Sequence, residues 1–139
     1  MRAYLAVAIG GLIGTGLRLA CDLAFPHDDD AFPLETLLVN LGGTLMLGWL
    51  VGGLWNHPAM PHWLKAGVGA GVLGSFTTLS SVMAALVVLS REGEHATAAI
   101  YLGVSIVGGL VVAGVGLRIG SLIAHRPVPT EITDAGETL

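Results

Sequence analysis

The sequence predicts an all-α membrane protein with four transmembrane helices, and its composition, hydropathy and patterning all favour this class. The chain has 139 residues, of which 53% are hydrophobic and only 12% are charged, about half the roughly 25% charge of an ordinary soluble domain. Its mean hydropathy of +0.78 excludes a disordered chain. Its 21 glycines follow no three-residue repeat, which excludes a collagen-like chain.

Four stretches approach the ~20 apolar residues that a bilayer-spanning helix needs. They cover residues 3–23, 36–55, 66–90 and 96–117, and the last can extend to residue 124. We expect helices because lipid-facing backbone groups must be paired within their own segment, and the alternation of a membrane barrel is absent. The sequence therefore predicts one four-helix unit over residues 1–125 in the cell inner (plasma) membrane. A disordered polar tail is expected over residues 126–139.

Glycines recur at a spacing of four residues within these stretches. The pairs are Gly10 and Gly14, Gly48 and Gly52, Gly67 and Gly71, and Gly116 and Gly120. Small residues at every fourth position let two helix backbones approach closely. We therefore expect a tightly packed bundle that leaves room only for a narrow path, or for a path between subunits.

Two polar side chains lie well inside the apolar stretches. Arg18 either reaches back to the membrane interface or forms a buried positive charge that attracts an anion. No acidic residue lies within the uncharged cores to pair with it. Asn40 either bonds a neighbouring helix or replaces water around a passing anion.

The third stretch contains the clearest local indication of a break in a helix. Residues 71–81 place two glycines and five hydroxyl side chains at mid-membrane, which is a poor composition for a continuous helix. We expect a helix that is broken mid-membrane, with freed carbonyl and N–H groups that bind ions and a break that is buried in protein. The alternative is a kinked helix whose hydroxyls bond their own backbone.

The remaining features favour passive anion passage over other function classes. Tyr101 and Ser105 lie one turn apart and share a face of the fourth helix. Paired carboxylates, a Cys/His cluster and a nucleophile–base pair are all absent from the stretches, so no enzyme is predicted. The single cysteine, Cys21, excludes an internal disulfide, and the net charge of −4 does not indicate a nucleic-acid partner.

Motifs in all four stretches resemble, in chain order, those of the CrcB/Fluc family of fluoride channels. Residues 10–18 (GGLIGTGLR) resemble the family's GGxxGxxxR, and residues 36–42 (TLLVNLG) resemble its TxxVNxxG. Residues 71–80 (GVLGSFTTLS) are similar to its GxxGxFTTFS, and Tyr101 and Ser105 fit the tyrosine and serine of its fourth helix. The resemblance covers about residues 3–124.

The resemblance implies a fluoride-selective passive channel that exports cytoplasmic fluoride and gives fluoride resistance. It implies an antiparallel, dual-topology dimer in the lipid bilayer, with two narrow pathways near the subunit interface and a structural sodium ion (Na⁺) at the dimer centre. The implied sodium ligands are backbone groups of Gly71, Gly74, Ser75 and Thr77. The implied pathway residues are Asn40, Phe76, Thr77, Thr78, Leu79, Ser80, Tyr101, Ser105 and Arg18.

The sequence departs from the family pattern at a few positions. Leu79 stands in place of the second pore phenylalanine, Val82 in place of a further aromatic residue, and Gly109 where a polar residue is often found. Because leucine has no polarised ring edge, one element of a fluoride site is missing. Two hypotheses follow: a homodimer that still conducts, or one half of a heterodimer with a paired homologous subunit.

Two other function classes fit part of the sequence. A proton-coupled exporter of the small multidrug resistance type has a similar length, but it needs a membrane-embedded carboxylate, and the first stretch has none before Asp22. A non-transporting membrane assembly protein would explain the glycines but not Asn40 beside a broken third helix. The sequence therefore favours the fluoride channel.

Overall fold

The structure is a computed structural model that describes residues 1–24 and 32–124. Four of its helical runs are long and apolar enough to cross a membrane: Arg2–Ala24, Leu34–Asn56, His62–Arg91 and His95–Ile123. The predicted number of membrane-spanning segments is confirmed, and we refer to these runs as the first to fourth spans. The predicted disordered tail, residues 126–139, lies outside the described residues.

The first, second and fourth spans are each built on one long helix. Helix α1 covers Arg2–Ala24, and α2 covers Leu34–Gly52 and is followed by a 3₁₀ turn at Leu54–Asn56. Helix α6 covers His95–Ile123. Helix α1 extends the predicted stretch by one residue at each end, whereas α2 begins two residues before the predicted residue 36 and ends at Gly52, before the predicted residue 55.

The third span is composite. It contains α3 (His62–Ala66), a π-helical segment (Gly67–Leu73), α4 (Gly74–Phe76) and α5 (Leu79–Arg91). It begins at His62 rather than at the predicted residue 66, directly after Pro61, which is extended with φ −69° and ψ 143°. It ends at a tight turn in which Gly93 has φ 82°, a left-handed conformation that favours glycine.

Two extended residues separate α4 from α5. Thr77 has φ −84° and ψ 148°, and Thr78 has φ −145° and ψ 126°. We call this pair, Thr77–Thr78, the extended link. Helix α5 begins directly after it, because the Thr78 hydroxyl accepts a hydrogen bond from the Ser81 N–H at 3.2 Å and so caps the new helix.

The glycine pairs form two seams of backbone-to-backbone packing, as the spacing of four predicts. In the first seam α1 meets the π-helical segment: a Cβ on Gly10 would lie 3.1 Å from Gly71 Cα, and a Cβ on Gly71 would lie 2.9 Å from Val7 O. In the second seam α2 meets α6: a Cβ on Gly48 would lie 2.6 Å from Ala113 O. Neither seam has room for a larger residue.

A small apolar core joins α2, α5 and α6. Leu37, Val82 and Tyr101 are buried together, and the Phe32 ring meets the Tyr101 ring edge-on at 5.4 Å with an interplanar angle of 84°. Most other large apolar side chains lie on the outside of the bundle, as expected for a chain whose solvent is lipid. The core fixes α5 against the two helices of the second seam.

The second seam gives a direct test of this packing. The Gly116→Ala variant is expected to be destabilised by ~1–3 kcal/mol, the usual cost of overpacking, because its Cβ would lie 2.5 Å from Leu45 O. Gly109→Ala is the matched control on the same helix, since no atom lies within 4 Å of its Cβ position. Reversible unfolding in detergent measures both variants. Equal free energies of unfolding would contradict the seam.

Candidate functional site

The side chain of Asn40 reaches from α2 to the extended link. Its Nδ2 donates to the Thr78 carbonyl at 2.9 Å, and the Thr78 N–H donates to its Oδ1 at 2.8 Å. The two bonds pair both backbone polar groups of one non-helical residue with one side chain. The hypothesis that Asn40 bonds a neighbouring helix is therefore confirmed, since its partner lies on the third span.

Hydroxyl groups complete the polar environment of the extended link. The Thr78 hydroxyl lies 2.8 Å from the Ser80 hydroxyl and accepts from the Ser81 N–H. The Thr77 hydroxyl donates to the Leu73 carbonyl at 2.9 Å, which is the back-bonding expected of a threonine at a helix end. The link is thus held by side chains as well as by backbone.

These bonds take donors away from two carbonyl groups. In a continuous helix the Thr78 N–H would donate to Gly74 O, and the Ser81 N–H would donate to Thr77 O. Here the Thr78 N–H donates to Asn40 and the Ser81 N–H donates to the Thr78 hydroxyl. The carbonyl oxygens of Gly74 and Thr77 therefore lose the donors that a continuous helix would supply.

A cavity of about 520 Å³ lies beside the extended link. Its polar lining consists of one amide and four hydroxyl side chains: Asn40, Thr44, Thr77, Thr78 and Ser105. The rest of the lining is apolar or glycine, and among the described residues no acidic or basic side chain contributes to it. The cavity is thus a neutral, partly polar space between α2, the third span and α6.

The cavity brings together five of the nine sequence-predicted pathway residues: Asn40, Thr77, Thr78, Leu79 and Ser105. Leu79 is 71% exposed, so its side chain lies at the open side of the cavity. Gly109 also lines the cavity, with no atom within 4 Å of its Cβ position. All three departures, Leu79, Val82 and Gly109, therefore line this cavity, and Val82 also packs in the core with Leu37 and Tyr101.

The other predicted pathway residues lie outside the cavity lining. Phe76 packs against α2, where a Cβ on Gly43 would lie 3.5 Å from its Cδ1. Ser80 is exposed next to Thr78. Tyr101 is fully buried in the core at 0% exposure. These three residues surround the polar region without lining its main space.

Arg18 has an acidic partner, contrary to the expectation from sequence. Its Nε lies 2.9 Å from Asp22 Oδ1, and its Nη2 donates to the Thr36 hydroxyl at 3.0 Å. The side chain is only 12% exposed, whereas that of Asp22 is 38% exposed. The expectation was wrong because it considered only the uncharged core, while residues four apart on a helix share a face.

Sequence reasoning assigned no role to three polar residues near the site, although a signal for each was available. Thr36 and Thr44 lie one turn before and one turn after Asn40, so the three residues share one face of α2. Asp22 lies four residues after Arg18 on α1. A search for polar residues at a spacing of four would have found all three.

A second cavity, of about 430 Å³, lies at the end of α2 and α6. Its lining is mainly apolar and includes Trp49, Leu54, Met60 and Ile123. None of the sequence-predicted site residues lines it, so it does not contribute to the candidate site.

The fold and the site define a class: a small, multi-pass membrane protein with a neutral polar cavity beside an extended segment of its third span. Its sequence matches the family described as CrcB-like protein, Camphor Resistance (CrcB), over residues 5–117. The chain therefore belongs to the CrcB family, which confirms the resemblance seen in its motifs. The predicted multi-pass membrane localisation is confirmed as well.

Curated relatives support the same assignment. The chain is 39% identical over 114 residues to "Fluoride-specific ion channel FluC 2" of Geobacillus kaustophilus (strain HTA426). The aligned region covers 81% of this chain and 88% of the relative. It is 38% identical over 114 residues to "Fluoride-specific ion channel FluC" of Bordetella petrii, covering 82% and 88%. It is 35% identical over 125 residues to "Fluoride-specific ion channel FluC 1" of Bacillus thuringiensis subsp. konkukian, covering 88% and 90%.

The cap at the extended link can be tested by removing one hydroxyl. Thr78→Val keeps the shape of the side chain but removes the acceptor of the Ser81 N–H. We expect the free energy of unfolding to fall by about 1 kcal/mol, the usual cost of losing an N-cap. Thr78→Ser retains the acceptor and is the control. Equal stability of the two variants in detergent unfolding would contradict a capping role.

Proposed function

We propose that this chain is a subunit of a fluoride-selective passive channel that exports cytoplasmic fluoride and gives fluoride resistance. The observation that carries the proposal is the neutral cavity with Asn40 and Thr78 on its wall. The proposal is supported by relatives that are named fluoride-specific ion channels, one of which is 39% identical to this chain.

The chemistry of the proposed pathway suits a small anion. Amide and hydroxyl groups can donate hydrogen bonds that replace water around fluoride. The edge of the Phe76 ring is the positive end of its quadrupole and attracts an anion. Because the described cavity lining contains no carboxylate, no negatively charged side chain on its wall repels an anion, and no buried acid there couples passage to a proton.

The proposed direction of transport follows from acid–base chemistry and from the membrane potential. Hydrogen fluoride enters the cell as a neutral weak acid and dissociates at cytoplasmic pH. A membrane potential that is negative inside favours the exit of an anion by ~2.3 kcal/mol per 100 mV. A passive pathway is therefore sufficient for export.

We propose that two subunits form an antiparallel, dual-topology dimer. Backbone that is not helical is tolerated at mid-membrane only when protein or a water-filled cavity covers it. The extended link lies beside a cavity whose rim includes the largely exposed Leu79. A second subunit would cover this side, bring its own residues to Phe76 and Ser80, and so complete two pathways.

We propose a structural sodium ion at the centre of that dimer. The ligands would be backbone groups of Gly71, Gly74, Ser75 and Thr77. The structure supports oxygen ligation here, because the Gly74 and Thr77 carbonyls lose their usual helical donors. The Gly71 carbonyl accepts from the Gly74 N–H, and the second lone pair of a carbonyl oxygen could bind a cation. An ion bound by carbonyls from both subunits would stabilise the interface.

The partner subunit is either a second copy or a paired homologous chain. We take the homodimer as the working arrangement, since Leu79 lies at the open side of the cavity and leaves the Asn40–Thr78 wall intact. In the heterodimer a second chain would supply the missing phenylalanine ring. Both arrangements use the same cavity and differ in whether this chain conducts alone.

Fluoride efflux from liposomes tests the proposed function and the subunit composition together. Liposomes containing this chain alone are expected to release fluoride, measured with a fluoride electrode, at a rate well above that of protein-free liposomes. Chloride efflux is expected to stay at background. Release that requires a second homologous chain would exclude the homodimer. Absence of fluoride release in both cases would contradict the proposed function.

The variant Phe76→Ile extends this test to the assigned pathway. Isoleucine fills much of the volume beside Gly43 but has no ring edge, so fluoride efflux is expected to fall to background. Size-exclusion chromatography in detergent is the control, because the variant should keep the elution volume of the wild-type protein. Unchanged efflux would remove Phe76 from the pathway.

Removal of sodium tests the proposed cation site. Protein purified and reconstituted with an organic cation in place of sodium is expected to lose most of its fluoride efflux, because the carbonyl oxygens at the subunit interface would be unpaired. Returning sodium is expected to restore the efflux. An efflux that is the same in both conditions would contradict a structural sodium ion.

A further inference from the structure

The contact between Asn40 and Thr78 has a defined polarity. The Thr78 N–H can only donate and the Thr78 carbonyl can only accept. The Asn40 amide meets them with Oδ1 at 2.8 Å and Nδ2 at 2.9 Å. Because a reversed amide would oppose donor to donor and acceptor to acceptor, the orientation of the Asn40 side chain is fixed by backbone.

The same contact uses only part of the amide. Nδ2 carries two hydrogens, and one of them is donated to the Thr78 carbonyl. The second finds no acceptor among residues 1–24 and 32–124, and the Asn40 side chain lines the cavity. The fixed amide therefore keeps one N–H for the cavity, while its oxygen is turned to Thr78.

We infer that Asn40 is a positioning residue for the extended link. Its amide replaces the helical partner of the Thr78 N–H, holds the Thr78 backbone extended, and so sets the place of the Thr78 hydroxyl and of the Gly74 carbonyl at the cavity. The amide orientation leaves one N–H that can donate to an ion in the cavity. The effect on transport rests on the proposed fluoride channel, whereas the effect on the link does not.

Two substitutions at position 40 distinguish this positioning role from a role in packing alone. They are aspartate, which has two protonation states, and leucine. An ionised aspartate has no hydrogen to donate, so one of its oxygens faces the Thr78 carbonyl oxygen, and this repulsion pushes the side chain out of contact with the Thr78 N–H. A protonated aspartic acid has one acceptor and one donor, so it can restore both bonds. Leucine is similar in size and can form neither bond at any pH. Lowering the pH can therefore restore the contact with Thr78 in Asn40→Asp but not in Asn40→Leu.

The first measurement is the hydrogen exchange of the Thr78 amide, followed by NMR in detergent and expressed as protection relative to an unstructured peptide at the same pH. At pH 7 both variants are expected to lose protection by about tenfold, as expected for one lost hydrogen bond. At about pH 3.5, below the ordinary aspartate pKa of ~3.9, Asn40→Asp should regain protection and Asn40→Leu should not. A recovery on acidification also shows that Asn40→Asp is folded.

The matched control is Asn56→Asp. Asn56 Nδ2 also donates to backbone carbonyls, those of Val51 at 3.1 Å and Gly52 at 3.2 Å, but it forms no bond to the third span. The same chemical change at this position is expected to leave the protection of the Thr78 amide within about twofold of the wild type. An equal loss in Asn56→Asp would overturn the assignment, because the effect would then not be specific to position 40.

The second measurement is fluoride efflux from liposomes at pH 7. Asn40→Asp and Asn40→Leu are expected to lose at least about tenfold in rate, and Asn56→Asp is expected to match the wild type. Wild-type protection of Thr78 in both position-40 variants would overturn the inference, and lost protection with unchanged efflux would overturn its effect on transport. If the wild-type protein itself released no fluoride, the proposed function would fail, while the exchange measurement would still decide whether Asn40 holds the link.

Discussion

Backbone polar groups inside a membrane must find hydrogen-bond partners within the protein, and the rest of this structure depends on how that constraint is met at Thr77–Thr78. An extended pair of residues cannot satisfy itself as a helix does. Asn40 on α2 pairs both backbone groups of Thr78, and the Thr78 hydroxyl pairs the Ser81 N–H. The second and third spans are thereby joined at the point where the polar cavity lies.

The glycine seams explain how such a small chain builds a site at all. One seam joins α1 to the π-helical segment, and the other joins α2 to α6. Because each seam brings backbones into direct contact, the two helices of each pair lie very close together. Hydrogen bonds then link the pairs, through Arg18 to Thr36 and through Asn40 to Thr78. The cavity occupies the space that remains between the two pairs.

Charge is arranged so that the cavity itself stays neutral. The guanidinium of Arg18 is held between Asp22 and Thr36, so its positive charge is partly balanced within its own helix. The described lining of the cavity has hydroxyls, one amide and apolar groups. Hydrogen-bond donors therefore provide its attraction for an anion. Such donors favour a small ion that accepts strong hydrogen bonds, and they do not hold it as tightly as a buried full charge would.

The sequence by itself determined the class, the four spans, the glycine seams and the family, because hydropathy, a spacing of four and motif order are local properties of the chain. It also pointed to Asn40 and Thr78 as polar residues of interest. Only the tertiary structure decided that these two bond each other, that Asp22 pairs with Arg18, and that Tyr101 belongs to the core while Ser105 lines the cavity. The reason is physical: the partner of a polar side chain depends on how neighbouring helices are rotated and on where the third span becomes extended. Contacts between distant residues set both, and no local pattern records them.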